Sequence, residues 1–314
     1  MMGRRLATVV VAVALVVGAF LLRRNVIEGG DDEPDATDGP DPATELVCLT
    51  ELEAVCGVLG TAHPELAVTV EDARATLDRV AGGESVPLWL TFEPFPAMAG
   101  ALTAGDVLGA TELAIATPPG RQDVLAAKCA DQPLWRCVGD LAGDEWGEVP
   151  GVIEPSVGDA GTTAGGLASF AAAVAGYFDT TQLSRTMWET EPEFIPWVQR
   201  LVRAVPVDEL TAGTPVGTML IRQSAVNVAG TSDAEVTALG EPGTSVERSY
   251  PEPSMWLQAV LAAPAGAEIP RDLATDAAAA LLDAGWAPPD PTAQTPLPSA
   301  TAMLALRGLW EEVQ

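Results

Sequence analysis

The sequence predicts an α/β fold that follows a single apolar N-terminal segment. Strand and helix signals alternate from Glu45 to the end of the 314-residue chain, and this alternation is typical of α/β proteins with mostly parallel sheets. Residues 25–44 are acidic, rich in Gly and Pro, and almost free of large apolar side chains. Such a composition cannot form a core, so we expect a disordered acidic linker there.

The N-terminal segment has the features of an uncleaved signal anchor. Arg4 and Arg5 precede the uncharged residues 6–22, and Arg23 and Arg24 follow them. At about 1.5 Å per residue this run just reaches across a hydrocarbon core of roughly 30 Å. The basic start favours a cytoplasmic N-terminus. We therefore expect a single-pass protein of the cell membrane, bound to it through residues 6–22, with an extracytoplasmic C-terminal part.

A cleaved signal peptide and a lipoprotein are the alternatives for this segment. Cleavage requires small residues just after the apolar run, but residues 12–14 lie inside the run and residues 18–20 fit the pattern poorly. A lipoprotein requires a Cys directly after the run, and the first one is Cys48. An uncleaved signal anchor is therefore favoured, and a cleaved signal peptide stays open as the alternative.

Short apolar runs bounded by turn residues predict the strands of the folded part. These strands are expected at residues 46–49, 66–70, 86–92, 111–117, 216–221 and 256–261. Helical periodicity predicts the helices, with Thr50 capping the first and Gly82 and Gly285 ending two others. These helices are expected at residues 51–62, 72–80, 98–104, 122–129, 166–178, 194–204, 273–284 and 303–310.

The chain is strongly acidic. Its formal net charge is −28, and all 44 acidic residues follow Arg24. Nucleic acid and anionic headgroups are poor partners for such a surface, so we expect no nucleic-acid partner. Solubility is the plain interpretation of the charge, and attraction of cations is the alternative.

The four cysteines form two close pairs, Cys48 with Cys56 and Cys129 with Cys137, each with seven residues between its members. In an oxidising compartment this spacing predicts two local disulfides. Three pairings are open to four cysteines, and a zinc site is the alternative use of them. Zinc sites usually show closer pairs such as C-x2-C, so disulfides are favoured and no metal is expected.

The motifs of common enzymes are missing from the sequence. His63 is the only histidine, and no G-x-S-x-G accompanies it, so a Ser-His-Asp triad has little support. No P-loop and no strand-linked G-x-G-x-x-G is present. We expect no catalytic residue and no cofactor, with a hydrolase or transferase as the remaining enzymatic alternative.

The segment from Pro150 to Phe170, PGVIEPSVGDAGTTAGGLASF, is the strongest candidate for a ligand site. A strand leads into a small, hydroxyl-rich loop and then a helix, whose first N–H groups are free to bind a polar ligand. We expect Ser156, Thr162 and Thr163 to contribute hydroxyls and Gly165 a backbone amide. The alternative is an ordinary capped helix start.

Two further segments lie after strands on the same edge of the expected sheet. Thr76 belongs to residues 71–76, the turn after the second strand, and Thr91 to residues 91–94 at the carboxyl end of the strand VPLWLTF. Ligands of open α/β sheets bind beyond the carboxyl ends of the strands, so these residues are expected to line the same crevice. Tyr250 could close the pocket, although a plain turn explains it equally well.

Seven segments together resemble type 2 periplasmic solute-binding proteins. They are AVTVEDARATLDRVAGG, VPLWLTFEPFPAMAGAL, ELAIATPPGRQDVLAAKC, GVIEPSVGDAGTTAGGLASFAAAVAGYF, TMLIRQSAVN, VERSYPEPSMWLQAVLAAP and LATDAAAALLDAGW. The fourth is similar to the family's "x-DP-x-[ST]-x-x-G" strand, loop and helix. Gln223 stands where the family has a Glu after its returning strand, and Tyr250 falls in the family's "v-x-YP" segment.

The resemblance implies a two-lobed domain over residues 45–314, with lobe 1 at 45–115 and 225–314 and lobe 2 at 116–224. It implies binding of a small polar solute between the lobes by hinge closure, without catalysis, and transport through an ABC permease. A degenerate module that binds another protein of the cell envelope is the alternative.

Overall fold

The computed structural model describes residues 44–210, 212–240, 243 and 245–314. The expected signal anchor at 1–24 and nearly all of the expected linker at 25–44 lie outside the described residues. The first strand begins at Thr44, at the end of that linker. Within the described part, no helix is both long enough and apolar enough to cross a membrane.

The described strands form one eight-stranded sheet. In chain order they are β1 Thr44–Leu49, β2 Leu66–Glu71, β3 Leu88–Phe92, β4 Leu102–Thr117, β5 Pro155–Ser156, β6 Val228–Ser232, β7 Glu247–Ser249 and β8 Trp256–Pro264. In space their order is β2-β1-β3-β8-β4-β6-β5, and β7 pairs with β4.

The directions of the strands correct the prediction of mostly parallel sheets. β1 runs parallel to β2 and β3, and β5 runs parallel to β6. β8, however, is antiparallel to both of its neighbours β3 and β4, and β4 is antiparallel to β6 and β7. The sheet is therefore mixed: the last strand returns antiparallel into its middle, and β4 is also antiparallel to β6 and β7. Local alternation of strands and helices cannot predict such a long-range return.

β4 is the longest described strand and connects two parts of the sheet. Leu102–Glu112 pair with β8, with two register shifts, whereas Leu113–Ala116 pair with β6. The exchange of partner occurs between Glu112 and Leu113. One continuous strand thus belongs to both parts.

The described helices pack on this sheet. They are α1 Glu53–Ala62, α2 Ala73–Ala81, α3 Phe95–Ala99, α4 Gln122–Lys128, α5 Leu134–Asp140, α6 Ala164–Phe178, α7 Arg185–Thr190, α8 Phe194–Ala204, α9 Pro215–Ile221, α10 Asp233–Ala238, α11 Arg271–Asp283 and α12 Ala300–Val313. Short 3-10 segments cover Thr50–Leu52 and Val207–Glu209. The predicted α/β class is confirmed, and every expected helix except the one at 98–104 coincides closely with an observed helix.

Two expected elements are wrong. Residues 216–221, expected as a strand, belong to the helix α9, whose first turn has Pro215 and is capped by the Thr214 hydroxyl, which accepts a hydrogen bond from Gly217 N at 3.2 Å. The helix expected at 98–104 is instead α3, which ends at Gly100 with φ 76° before β4 begins. Thr50 does not cap α1, because a 3-10 turn precedes that helix.

Aromatic side chains fill the core between α5, α6 and α8. Trp135 on α5 and Trp197 on α8 are each 1% exposed. The Trp197 indole donates a hydrogen bond to the Arg136 carbonyl oxygen at 2.9 Å. Its ring lies 4.9 Å from that of Tyr177 on α6 and 6.0 Å from that of Phe194, measured between centroids. Burial of such large rings is a dominant contribution to stability.

Both predicted disulfides are confirmed. Cys48 in β1 is bonded to Cys56 in α1, and Cys129 after α4 is bonded to Cys137 in α5. This bonding replaces the zinc alternative. Each bridge closes a short loop, so its stabilisation through the unfolded chain is about 2–3 kcal/mol.

His63 connects the end of α1 to α11. Its ring is largely buried and lies between two carboxylates, with Nε2 at 2.9 Å from Asp276 Oδ2 and Nδ1 at 3.2 Å from Glu65 Oε1. Burial opposes the charged imidazolium, but the hydrogen bonds to Asp276 and Glu65 outweigh it and raise the pKa of His63 above its ordinary value.

This raised pKa predicts a pH-dependent contribution to stability. Because the folded state holds the proton more tightly, the contribution is complete below the unfolded pKa of about 6.5 and is lost as pH rises through the folded pKa. The wild-type chain should therefore melt higher than His63→Gln at about pH 5.5, and the difference should shrink by about pH 8.5. Thermal melts of both proteins across this range measure it. A difference that does not vary with pH contradicts the prediction.

Candidate ligand-binding site

The loop between β5 and α6 is held by its own polar groups. Ser156 Oγ accepts a hydrogen bond from Gly158 N at 3.2 Å, and Gly158 has φ +86°, a conformation that favours glycine. The Thr163 hydroxyl donates to the Asp159 carbonyl at 2.9 Å and accepts from Gly166 N at 3.1 Å. Thr163 is therefore the N-cap of α6. This is what the alternative interpretation of the segment, an ordinary capped helix start, predicts.

A carboxylate from the other end of the sheet occupies the N-terminus of α6. Gly165 N donates to Glu51 Oε1 at 2.7 Å, and Ala164 N also bonds to this carboxylate. Glu51 lies in the 3-10 turn directly after β1. A negative charge is favourable here, because the first N–H groups of a helix are unpaired and its dipole is positive at this end.

The turn after β2 reaches the same loop. Arg74 N, in the first turn of α2, donates to the Thr162 carbonyl at 3.1 Å. Asp72 caps α2 by accepting from Ala75 N at 2.8 Å. The carboxyl ends of β1 and β2 therefore both meet the β5–α6 loop, and Thr162 and Gly165 are the residues that they contact.

A second carboxylate, that of Glu235 on α10, lies near Glu51. Its Oε2 accepts from the Thr231 hydroxyl at 2.7 Å, and the nearby Thr214 hydroxyl favours its charged form. Its Oε1 is buried and accepts no hydrogen bond from the described residues. Glu51 and Glu235 are close enough for their charges to interact.

The surroundings of both carboxylates disfavour their charged forms. Desolvation by the surrounding protein raises the pKa of Glu51, and the charge of Asp72 adds to this, while the amides of Gly165 and Ala164 partly oppose it. Desolvation likewise raises the pKa of Glu235, with a further contribution from Glu51. Glu51 is nevertheless exposed to solvent. Glu51 is therefore surrounded by protein groups while part of its side chain stays open to solvent.

The other expected site residues lie in different surroundings. Thr76 is fully buried in α2 and donates to Glu71 Oε2 at 3.1 Å. Thr91 is fully buried in β3, opposite Val260, and its hydroxyl has no hydrogen-bond partner among the described residues. A ligand-binding role for either stays a prediction.

Gln223 and Tyr250 are both exposed. Gln223 follows α9, and its carbonyl accepts from Asn227 Nδ2 at 3.4 Å. The Tyr250 hydroxyl donates to the Asp233 carboxylate at 3.0 Å, next to an ion pair of 2.9 Å between Arg248 and Asp233. Their predicted contact with a ligand also stays a prediction.

Reasoning from the sequence missed Glu51 and Glu235, whereas Asp72 lies in the turn at residues 71–76 that it had selected, without its capping role. Glu51 and Asp72 each come one or two residues after a strand, which is where ligand-contacting residues of α/β sheets lie. This position directly after a strand was the sequence signal that could have pointed to them as site residues. Among the described residues, no group of three or more metal-binding side chains is assembled. The site thus brings together two carboxylates, several hydroxyls and the amides at the start of α6.

Comparison with known proteins assigns the fold. No family model matches the chain, and no curated protein sequence matches it. Solved structures do match: the periplasmic binding protein AfuA from Actinobacillus pleuropneumoniae, with exogenous fructose-6-phosphate bound, has a TM-score of 0.56 at 12% identity and covers 87% of this chain and 97% of its own.

Two further solved structures match the chain to a similar extent. A periplasmic thiamin binding protein has a TM-score of 0.54 at 10% identity, over 90% of this chain and 99% of its own. MotA from A. tumefaciens B6, in complex with glucopine, has a TM-score of 0.54 at 12% identity, over 85% of this chain and 98% of its own. The chain therefore has the fold of periplasmic solute-binding proteins.

Proposed function

We propose that this chain is a non-catalytic, extracytoplasmic solute-binding module, anchored to the cytoplasmic membrane through residues 6–22. The observation that carries the proposal is the meeting of the ends of β1 and β2 with the start of α6, through Gly165 N–Glu51 and Arg74 N–Thr162. The matching fold, the two disulfides and the apolar segment support it.

The solute is proposed to bind between two lobes, at 45–115 with 225–314 and at 116–224. The exchange of β4 from β8 to β6 after Glu112 falls close to the proposed boundary. The solute drives hinge closure by binding the closed state of the two lobes more tightly than the open state. No covalent bond is made or broken in this step. A solved ABC transporter structure from Clostridium perfringens, with a TM-score of 0.50, is consistent with an ABC permease as partner.

The charges of the candidate site favour a neutral or cationic polar solute over an anion. Glu51 already takes the amides of Ala164 and Gly165, which are the groups that bind anions at a helix start. Glu235 adds a second carboxylate, and its Oε1 accepts no hydrogen bond from the part of the chain that the structure describes. A buried acceptor without a partner is costly and is satisfied by a donor from a ligand.

Isothermal titration of the full-length chain in mild detergent tests this function. The probes are thiamin, glucopine and fructose 6-phosphate, which the three matching proteins carry in their names or complexes. Thiamin, the cationic probe, should bind most tightly. Glu235→Gln should weaken it about tenfold, since a charge-assisted hydrogen bond is worth about 1.5–3 kcal/mol. Glu53→Gln on the surface of α1 is the matched control. Preference for fructose 6-phosphate contradicts the proposed selectivity.

A second candidate is a degenerate module that binds an envelope protein. The observation that favours it is the internal occupation of the α6 start by Glu51, reinforced by the ion pair of 3.1 Å between Arg74 and Glu311. These contacts hold the candidate site together without a solute. This candidate is supported over the first if no probe gives a heat of binding on titration and none raises the melting temperature.

A further inference from the structure

A pocket away from the candidate site lies where α12 meets α7 and the start of α8. Its volume is about 320 Å³, and Trp188, Ile195, Leu304 and Leu309 form its apolar part. This volume is at the low end of the roughly 300–1,000 Å³ that small-molecule pockets occupy. The pocket therefore has room for one or two side chains rather than for a large ligand.

The apolar part of the pocket is open on the α12 side. Leu304 is 42% exposed, although it is a large aliphatic side chain. Gly308 lies four residues later, on the same face of the helix. A Cβ atom at Gly308 would have no heavy atom within 4 Å among the described residues. The structure thus leaves an uncovered apolar surface with empty space beside it.

The edge of the pocket is acidic. Glu189, Glu191 and Glu312 line it together with one cation, Arg185. Arg185 Nε donates to Glu189 Oε1 at 2.7 Å, which commits this guanidinium to its neighbour on α7. Three carboxylates against one guanidinium leave the edge negative, and this edge complements a basic partner.

We propose that this pocket docks a basic segment of a partner protein. A bulky apolar side chain of the segment inserts over Leu304 and Gly308, and its Lys or Arg side chains lie beside Glu191 and Glu312. An aromatic anchor in a pocket with a polar surround is the usual arrangement of the residues that dominate binding. This inference does not rest on the proposed solute site, because no residue is shared between the two.

Fluorescence anisotropy with short labelled peptides tests the proposal on the full-length chain in zwitterionic detergent. The probe is KKKWKKK, and the comparison peptides are KKKAKKK and EEEWEEE. We expect KKKWKKK to bind at least tenfold more tightly than KKKAKKK, and EEEWEEE not to bind. Equal binding of the two basic peptides would show general attraction to an acidic chain, and it would overturn the proposal.

Two pairs of variants locate the binding. Gly308→Leu fills the pocket, and Gly57→Leu is its control, because Gly57 is also a helical glycine with nothing within 4 Å of a Cβ. Glu312→Lys reverses one edge charge, and Glu148→Lys in an exposed loop is the control of equal charge change. Gly308→Leu and Glu312→Lys should each weaken KKKWKKK at least tenfold, and the controls should not.

Folding of the variants is checked by their melting temperatures. If Gly308→Leu melts well below Gly57→Leu, its affinity is set aside. The comparison of Glu312→Lys with Glu148→Lys and the comparison of the three peptides then test the proposal. Unchanged affinity in Glu312→Lys, or equal weakening in Glu148→Lys, removes the pocket as the docking site. Thiamin binding in these variants is measured in parallel, and it should not change.

Discussion

Glu51→Ala should convert the start of α6 into an anion-binding site. The change removes the carboxylate that now accepts from Gly165 N at 2.7 Å and leaves the first N–H groups of a long helix open to solvent. Such groups bind sulfate and phosphate, and a hydrogen bond to a charged group is worth about 1.5–3 kcal/mol. We expect affinity for inorganic sulfate to rise about 10- to 100-fold over the wild type, measured by isothermal titration.

Two controls make this expectation specific. Glu53→Ala removes the same charge from the exposed surface of α1 and should leave sulfate affinity unchanged. Glu51→Gln keeps an oxygen that can accept from Gly165 N, so its gain should be smaller than that of Glu51→Ala. Equal sulfate affinity in Glu51→Ala and wild type contradicts the role assigned to Glu51 as an internal occupant of the site.

Gly139→Ala, which adds one methyl group inside α5, should strongly lower the stability of the fold. A Cβ at Gly139 would overlap the Nε1 and Cε2 atoms of Trp197, which is buried and donates to the Arg136 carbonyl. Overpacking and the lost hydrogen bond together predict a loss of about 2–4 kcal/mol. This loss corresponds to a melting temperature lower by about 5–10 °C.

The control for Gly139→Ala is the same substitution where there is room for it. Gly57 on α1 is exposed, and nothing lies within 4 Å of a Cβ built there. Gly57→Ala should therefore stabilise the chain by up to about 1 kcal/mol through helix propensity. The two variants should shift the thermal melt in opposite directions. If Gly139→Ala is neutral, the packing assigned to Trp197 is wrong.

Local signals explain which elements could be predicted from the sequence. The apolar runs that form β3 and β8 and the small apolar residues of α6 are unambiguous over their whole length, so their positions agree with the prediction. The pair spacing of the cysteines was likewise sufficient for the disulfides. Residues 216–221 fit a buried strand and a buried helix equally well. The capping Thr214 and the following Pro215 decide for the helix.

The candidate site depends on contacts that no local pattern contains. Glu51 and Gly165 are separated by 114 positions in the chain, and their hydrogen bond exists only because β1 and α6 meet in space. In a chain with 44 acidic residues, the position of Glu51 just after a strand is a weak signal, and nothing in the sequence distinguishes Glu235 from surface charge. The prediction therefore placed the loop of residues 157–163 correctly before a helix but not its carboxylate partner.

The position of β8 affects how the chain is made. β8 fills the gap between β3 and β4, yet residues 118–255 separate the end of β4 from its start. At about 5–20 residues per second, a ribosome needs on the order of 10 s to synthesise that stretch. Throughout this interval β3 and β4 present unpaired edges, which are sites of aggregation. We therefore expect the nascent chain to be most prone to aggregation before Pro264 has emerged.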